Sequence, residues 1–171
     1  NHNLAELKRA EEILAAEGFH VSAVQNHYSL LYRSSEDAGI IDYCREHDMT
    51  FFAYMVLEQG ALSGKYDMQN PLPVGSMRGE TYNKQLPQIG VLVGVMREIA
   101  EHHHVSVSQI AIAWAISKHT LPIVGVTNPY QVDEAVKAAD IRLSPEEVGR
   151  LEKAAAQTQA NTRGSWENTM C

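Results

Sequence analysis

The chain has 171 residues, of which 44% are hydrophobic and 20% charged, a composition that is ordinary for one globular domain with a buried core. Its 21 acidic residues outnumber its 14 basic residues and give a formal net charge of −7, which argues against nucleic acid or an anionic membrane as the main partner. The apolar runs are far shorter than the roughly 20 residues that cross a bilayer, and the first residues lack the basic and apolar regions of an export signal.

The N-terminal part alternates between helical and extended patterns. Asn3 is a natural cap for a helix with an apolar stripe. A β-rich run from Phe19 to Asn26 follows, and helical spacing returns from Glu36 to His47. The apolar run from Thr50 to Met55 has the length of a strand. The order helix, strand, helix, strand is typical of an α/β protein.

The central part begins with a long connection. Residues Val56 to Gln85 are rich in glycine and proline and lack apolar periodicity, as in a lid or binding loop. Pro87 opens a predicted helix that runs to three consecutive histidines, and a second helix follows from the cap Ser106 to Lys118. A last helix begins at Ser144, where the following residues match a capping box.

A predicted strand and helix near the C-terminus have the pattern of a phosphate site. The strand, Pro122 to Val126, contains Gly125, which lets the backbone approach a ligand. Thr127 or Asn128 can cap the helix that follows from Pro129 to Ala139, and the free N–H groups of its first turn would attract an anion. Because many βα turns have this pattern without a ligand, an ordinary turn is an equal alternative.

Strands and helices in this order predict a parallel sheet with right-handed crossovers. Only three full strands are predicted, and such a sheet has a thin core and exposed edges unless other sequence or another chain completes it. A closed barrel of eight βα units takes about 250 residues. The predicted fold class is therefore α/β, the C-terminal half of a (β/α)8 TIM-type barrel, as a single partial domain over residues 1–171.

The cysteines and histidines predict no disulfide and no metal site. Cys44 lies in a helical pattern and is expected to be a small buried residue, and Cys171 is the last residue. Adjacent residues such as His102, His103 and His104 point in different directions on a helix, whereas helical ligands need a spacing of three or four. We expect a polar helix end there and a reducing, cytoplasmic environment.

Four motifs occur in order along the chain. Asn1 stands where a Gly-Val-Ser-Asn strand would end, and residues 24–30 are Val-Gln-Asn-His-Tyr-Ser-Leu. Residues 53–66 are Ala-Tyr-Met-Val-Leu-Glu-Gln-Gly-Ala-Leu-Ser-Gly-Lys-Tyr, and residues 123–135 run from Ile-Val-Gly-Val-Thr to Ala. Together these motifs resemble the C-terminal half of the aldo-keto reductase family over essentially the whole chain.

The resemblance implies a barrel that binds NADP(H), with NAD(H) as the other possibility, across the carboxyl ends of its strands. It assigns Asn1 and Gln25 to the nicotinamide carboxamide, because amides can pair with both its donor and its acceptor, and Tyr54 to stacking on the nicotinamide ring. The residues assigned to the pyrophosphate loop are Leu57, Gln59, Gly60, Leu62, Ser63, Gly64 and Lys65. Those assigned to the adenosine phosphate and adenine are Gly125, Val126, Thr127, Gln131 and Glu134.

Four positions depart from the family pattern. Thr127 stands where the family often has Arg, and Ala135 where it often has Asn. A guanidinium would bind the 2′-phosphate in a bidentate manner, so the preference for NADPH over NADH stays open. Met55-Val56 replaces the Ser-Pro that usually follows the stacking tyrosine, so this loop is expected to differ.

The family's catalytic acid, a Tyr assisted by Lys, Asp and His, belongs to the part of the barrel that would precede Asn1. We assign no catalytic residue within this chain and expect that it does not reduce carbonyls alone. The remaining half of the barrel is thus a required partner. In the family the C-terminal tail borders the substrate pocket, which makes Trp166 a candidate contact for a small-molecule carbonyl substrate.

Two functions follow from the resemblance. The first is an NAD(P)H-dependent oxidoreductase of aldehydes or ketones, of which this chain is the cofactor-binding half. The second is a nucleotide-sensing or scaffold protein on the same barrel, like the potassium-channel β subunits, in which binding without turnover is the function.

Overall fold

The computed structural model describes residues 1–163, so Trp166 lies outside the described residues. Its central feature is a parallel sheet of three strands in the order β1 (Ala23–His27), β2 (Thr50–Tyr54) and β3 (Leu121–Pro122). In the central strand β2, Phe51 and Ala53 are buried, whereas the alternate residues are more accessible. This alternation places one face of β2 against the helices and leaves its other face more accessible.

The helices surround the buried face of the sheet. Three of them begin with a capping box, built by Asn3 with Glu6, Ser106 with Gln109, and Ser144 with Glu147, as predicted at Ser144. The described residues contain eight α-helices: α1 (Leu4–Ala16), α2 (Ser34–Asp37), α3 (Ile40–Glu46), α4 (Met77–Tyr82), α5 (Leu86–His103), α6 (Val107–Ser117), α7 (Pro129–Lys137) and α8 (Pro145–Thr158).

Several predicted boundaries differ from the structure. The helix predicted over 36–47 is two helices, because Gly39 adopts the left-handed conformation, with φ of 74°, just before α3. The strand predicted over 19–26 begins only at Ala23. The strand predicted over 122–126 is reduced to β3, after which the Ile123 N–H donates to the carbonyl oxygen of Ala53 at 2.8 Å.

The predicted loop over 56–85 has regular turns of its own. It contains the 3-10 helices Glu58–Ser63 and Asn83–Gln85 and the helix α4, which Ser76 caps. Apolar periodicity is weak in such short turns, because each is held by local hydrogen bonds rather than by a long buried face.

Helix α6 lies at the centre of the helical layer. It is apolar on nearly all sides and buried from Val107 to Ala115, except Ser108, as expected of a helix enclosed by other elements. It packs against α5 and α7, and α5 packs against α8. Trp114 of α6 is fully buried and stacks on Tyr28, with ring centroids 5.1 Å apart. The segment after β1 is thereby tied to the core.

Among the described residues, no helix combines the length and the apolar character that crossing a membrane requires.

Candidate functional site

The carboxyl ends of β1 and β2 present polar side chains on one face of the sheet. In the parallel register Gln25 pairs with Phe52, and His27 pairs with Tyr54. Because alternate residues of a strand share a face, Gln25, His27 and Tyr54 lie on the same side. Gln25 is exposed and Tyr54 is half-buried. Two residues that the resemblance assigns to the nicotinamide, Gln25 and Tyr54, therefore lie on the same face, one in the middle of β1 and one at the end of β2.

The imidazole of His27 lies between two tyrosines. Its ring is 4.2 Å from the ring of Tyr32, with an angle of 10° between the planes, and 5.5 Å from the ring of Tyr54. Only 1% of His27 is exposed. The stack restricts the orientation of Tyr54, because moving its ring would break a contact with a side chain that is itself enclosed.

Four donors converge on the carboxylate of Glu58, which is fully buried. His27 Nε2 lies 2.9 Å from Oε1, the Tyr82 hydroxyl donates to Oε2 at 2.6 Å, and the Thr162 hydroxyl donates to Oε1 at 3.3 Å. The Ser29 hydroxyl also donates to Oε1. We call these five residues the Glu58 cluster. A carboxyl group has about four acceptor positions, so the cluster supplies the hydrogen bonds that a buried carboxyl group needs.

A tight turn after β2 brings Glu58 beneath the strand ends. Met55, Glu58 and Gln59 have φ of 63°, 46° and 53°, in the left-handed region, and Glu58 N donates to the carbonyl oxygen of Met55 at 2.7 Å. This conformation costs roughly 1–2 kcal/mol for each residue with a side chain. The hydrogen bonds of Glu58 and the burial of its neighbours offset that strain.

The rest of the loop after β2 folds on its own backbone. The Ser63 hydroxyl donates to the carbonyl oxygen of Gly60 at 2.6 Å, and Lys65 N donates to Ser63 Oγ at 3.3 Å. Gly60 and Gly64 have φ of 102° and 75°. At Gly64 a Cβ would lie only 3.0 Å from the side chain of Val107, so a larger residue would collide with α6.

The side chains of this loop differ in accessibility. Leu62 is fully buried and Leu57 is partly buried, whereas Gln59 and Lys65 are exposed. Leu62 therefore contributes to the core, and only its backbone is available to a ligand. Arg97 of α5, which no motif indicates, lies near Gly64, with its Nη2 3.4 Å from the Gly64 carbonyl oxygen. The loop thus has Lys65 and Arg97 as nearby cations.

The loop between β3 and α7 is open to solvent. Gly125, Val126 and Thr127 are exposed. The side-chain oxygen of Gln131 accepts from Thr127 N at 2.7 Å and from its hydroxyl at 3.1 Å, and Asn128 caps α7 by accepting from Gln131 N at 3.1 Å. Of the two caps that the sequence left open, Asn128 is the one observed.

The N-terminal residues lie beside the end of β1. Asn1 Oδ1 accepts from His27 N at 3.3 Å. The side-chain amide of Asn26 donates to the carbonyl oxygen of His2 and accepts from its N–H, both at 2.9 Å, as a neighbouring strand would. Asn1 and Tyr32 line a cavity of about 250 Å³ at this place.

The structure places Asn1 and Tyr54 beside His27 at the end of β1, with Gln25 two residues earlier in the same strand, whereas the two predicted phosphate regions lie on separate loops, after β2 and after β3. Glu134 is half-buried on α7, and its carbonyl oxygen accepts from Gln109 Nε2 at 3.1 Å. Sequence reasoning missed the Glu58 cluster. Its signal was polar residues at and just after strand ends, the positions where barrel enzymes place functional groups.

Comparisons with known proteins identify a family for the chain. The model of the aldo/keto reductase family matches residues 1–156. The chain is 30% identical to a chloroplastic pyridoxal reductase of Arabidopsis thaliana, over 92% of the chain and 43% of that protein. It is 26% identical to a versiconal hemiacetal acetate reductase of Aspergillus parasiticus, over 86% and 44%. The chain spans less than half the length of these curated relatives.

Solved structures match its fold. A glycerol dehydrogenase of Gluconobacter oxydans superposes with a TM-score of 0.71 at 21% identity, over 84% of this chain and 45% of that one. A thermostable aldo-keto reductase superposes with a TM-score of 0.66 at 22% identity, over 90% and 46%. The predicted α/β fold with three parallel strands, consistent with part of a barrel, is thereby confirmed.

Proposed function

The chain belongs to the aldo/keto reductase family, as its motifs predicted, and from this premise we propose that it is the cofactor-binding half of an NAD(P)H-dependent oxidoreductase. The whole protein would reduce aldehydes or ketones to alcohols. Relatives named as reductases support this activity. One of them is the pyridoxal reductase, and pyridoxal is an aldehyde.

One observation carries the proposal. Gln25, in the middle of β1, and Tyr54, at the end of β2, lie on the same face of two adjacent parallel strands, and the stack on His27 restricts the orientation of the Tyr54 ring. A ring that is held before the ligand arrives loses little freedom on binding. Asn1 and Gln25 would bind the carboxamide, whose donor and acceptor match the two ends of an amide side chain.

Backbone groups and cations would bind the phosphates. Lys65 and Arg97 lie at the loop after β2, where the pyrophosphate would pass. Thr127 and the first turn of α7 would receive the adenosine phosphate, because free N–H groups at a helix start attract anions. NADPH is the cofactor we favour from the family and NADH remains the alternative, since Thr127 supplies no guanidinium.

In this proposal, the proton that the carbonyl oxygen receives is not donated by a residue of this chain. When bound, the reduced cofactor supplies the hydride, and a separate acid must donate to the carbonyl oxygen. We assign that acid to the part of the barrel that this chain does not include, together with much of the substrate pocket. This chain alone would therefore bind nucleotide weakly and not turn over.

The missing half would also cover the more accessible face of the sheet. Leu121 and Ile123 are 51% and 43% exposed on or just after β3, and a covering element would stabilise the fold by burying their apolar side chains. Strands on either side would also pair the outer edges of β1 and β3. A cytoplasmic location is our further proposal, because Cys44 is a free buried thiol.

A fluorescence titration with NADPH tests the proposal in the protein with its full natural sequence. Replacing Tyr54 with Ala should weaken binding about three- to tenfold, the effect of losing one aromatic stack, and Tyr54→Phe should bind like the wild type. The proposal fails if the wild-type protein does not bind NADPH or NADH. Binding without reduction of any aldehyde or ketone would instead support the nucleotide-sensing alternative.

A further inference from the structure

The end of α5 meets the beginning of α8 at two imidazoles and a carboxylate. Glu147 Oε1 lies 2.9 Å from His103 Nε2 and 3.3 Å from His102 Nδ1. The three ligand atoms lie within 4.8 Å of one another. The histidines alone did not indicate a site, because adjacent helical residues diverge. Glu147, which comes from another helix, is the group that brings their ring nitrogens to one point.

The two oxygens of Glu147 have separate partners. Oε2 accepts from Ser144 N at 2.8 Å and completes the capping box of α8, whereas Oε1 is directed at the histidines. The carboxylate is therefore held in place by its own helix.

From this geometry we propose that His102, His103 and Glu147 form a binding site for a divalent transition-metal ion. Imidazole nitrogens together with a carboxylate oxygen suit Zn²⁺, Ni²⁺ or Cu²⁺, whereas Mg²⁺ and Ca²⁺ prefer oxygen ligands alone. Three protein ligands leave a fourth position for water. The site is independent of nucleotide binding, since it lies on the helical layer and shares no residue with the strand ends.

The exposure of one ligand allows the three ligand atoms to approach one another as closely as a metal ion requires. Bonds of about 2.1 Å place tetrahedral ligands roughly 3.4 Å apart, closer than the 4.8 Å limit of the group. The His102 side chain is 78% exposed and free to rotate, whereas those of His103 and Glu147 are 21% and 13% exposed. The two less exposed ligands form the fixed part of the site, and His102 moves to complete it.

A bound ion would link the end of α5 to the start of α8. These helices already pack along their length, so the ion would stabilise the folded protein in proportion to its occupancy. His104 is the natural control. It adopts the left-handed conformation, with φ of 55°, immediately after α5 and does not belong to the group.

Calorimetric titration of the metal-free protein, in its full natural sequence, with Zn²⁺ tests the site. We expect the titration to show Zn²⁺ binding. In a separate thermal unfolding measurement, the Tm should rise as the Zn²⁺ concentration increases, and Mg²⁺ should change neither result. His103→Gln should weaken the affinity at least about tenfold, and His104→Gln should leave it unchanged. Glu147→Gln should also weaken it at least about tenfold while preserving the helix, because glutamine serves equally in a capping box.

Three results would overturn the proposal. They are the absence of Zn²⁺ binding by the wild-type protein, an equal loss in His104→Gln and His103→Gln, and an undiminished affinity in Glu147→Gln. The Tm of Glu147→Gln without metal shows separately whether the fold is intact, so a failure to fold is not mistaken for loss of the site.

Discussion

The segments that follow β2 and β3 begin in the same way, at the carboxyl end of a parallel strand, but are held by different means. After β2 the chain turns inward and Glu58 is 0% exposed, enclosed by its four donors. After β3 the chain stays outside, Val126 is 42% exposed, and one glutamine holds the turn. The first segment is organised by the core, and the second by local hydrogen bonds among Thr127, Asn128 and Gln131.

This difference indicates a division of tasks. A ring that must present one face to a cofactor benefits from rigid support, which burial and hydrogen bonds provide around Tyr54. A loop that receives a phosphate needs exposed N–H groups, and enclosure would remove them. We therefore expect changes in the Glu58 cluster to act mainly on stability, and changes in the loop after β3 to act mainly on ligand preference.

The largest loss of stability is expected from Glu58→Ala. It removes the buried acceptor that His27, Ser29, Tyr82 and Thr162 share, and removing one partner of such a buried network costs about 3–5 kcal/mol. Urea unfolding measures this as a lower free energy of unfolding. Glu101→Ala, at an exposed position of α5, is the control and should change it by less than about 0.5 kcal/mol. Equal stability of the two variants would contradict the expectation that the Glu58 cluster stabilises the segment after β2.

A moderate effect on cofactor preference is expected from Thr127→Arg. A guanidinium beside the start of α7 can bind the 2′-phosphate in a bidentate manner, so the ratio of NADPH to NADH affinity should rise about tenfold, or roughly 1.4 kcal/mol. Thr127→Gln adds length without charge and is the matched control. If the ratio is the same in both variants, the loop after β3 does not contact the adenosine phosphate.

The smallest effect on stability is expected from Gln131→Ala. Its hydrogen bonds to Thr127 lie at the surface, so the loss should stay below about 1 kcal/mol. The local effect should be clear, because the Thr127 N–H loses its acceptor and exchanges faster with solvent, as measured by amide hydrogen exchange. Gln131→Glu retains an acceptor oxygen and should preserve the protection. Unchanged exchange in Gln131→Ala would show that this bond does not hold the turn.

Much of the fold could be predicted because it depends on local rules. Ser106 and Ser144 start helices where their side chains accept from the backbone three residues on, which is visible in the sequence as a cap and its partner. Helix α5 was found from Pro87 and its apolar stripe. The predicted boundaries were wrong where one backbone dihedral separates two helices, as at Gly39, and where a strand has few pairing residues, as in β3.

The sequence by itself determined the family and the order of strands and helices, and it predicted Gln25 and Tyr54 as cofactor contacts, because motifs and periodicity are properties of neighbours along the chain. Only the tertiary structure decided that His27, Glu58 and Tyr82 meet, and that Glu147 joins the histidines of another helix. Those contacts join residues between 24 and 45 positions apart, and such distances are set by how helices and strands pack, not by local pattern.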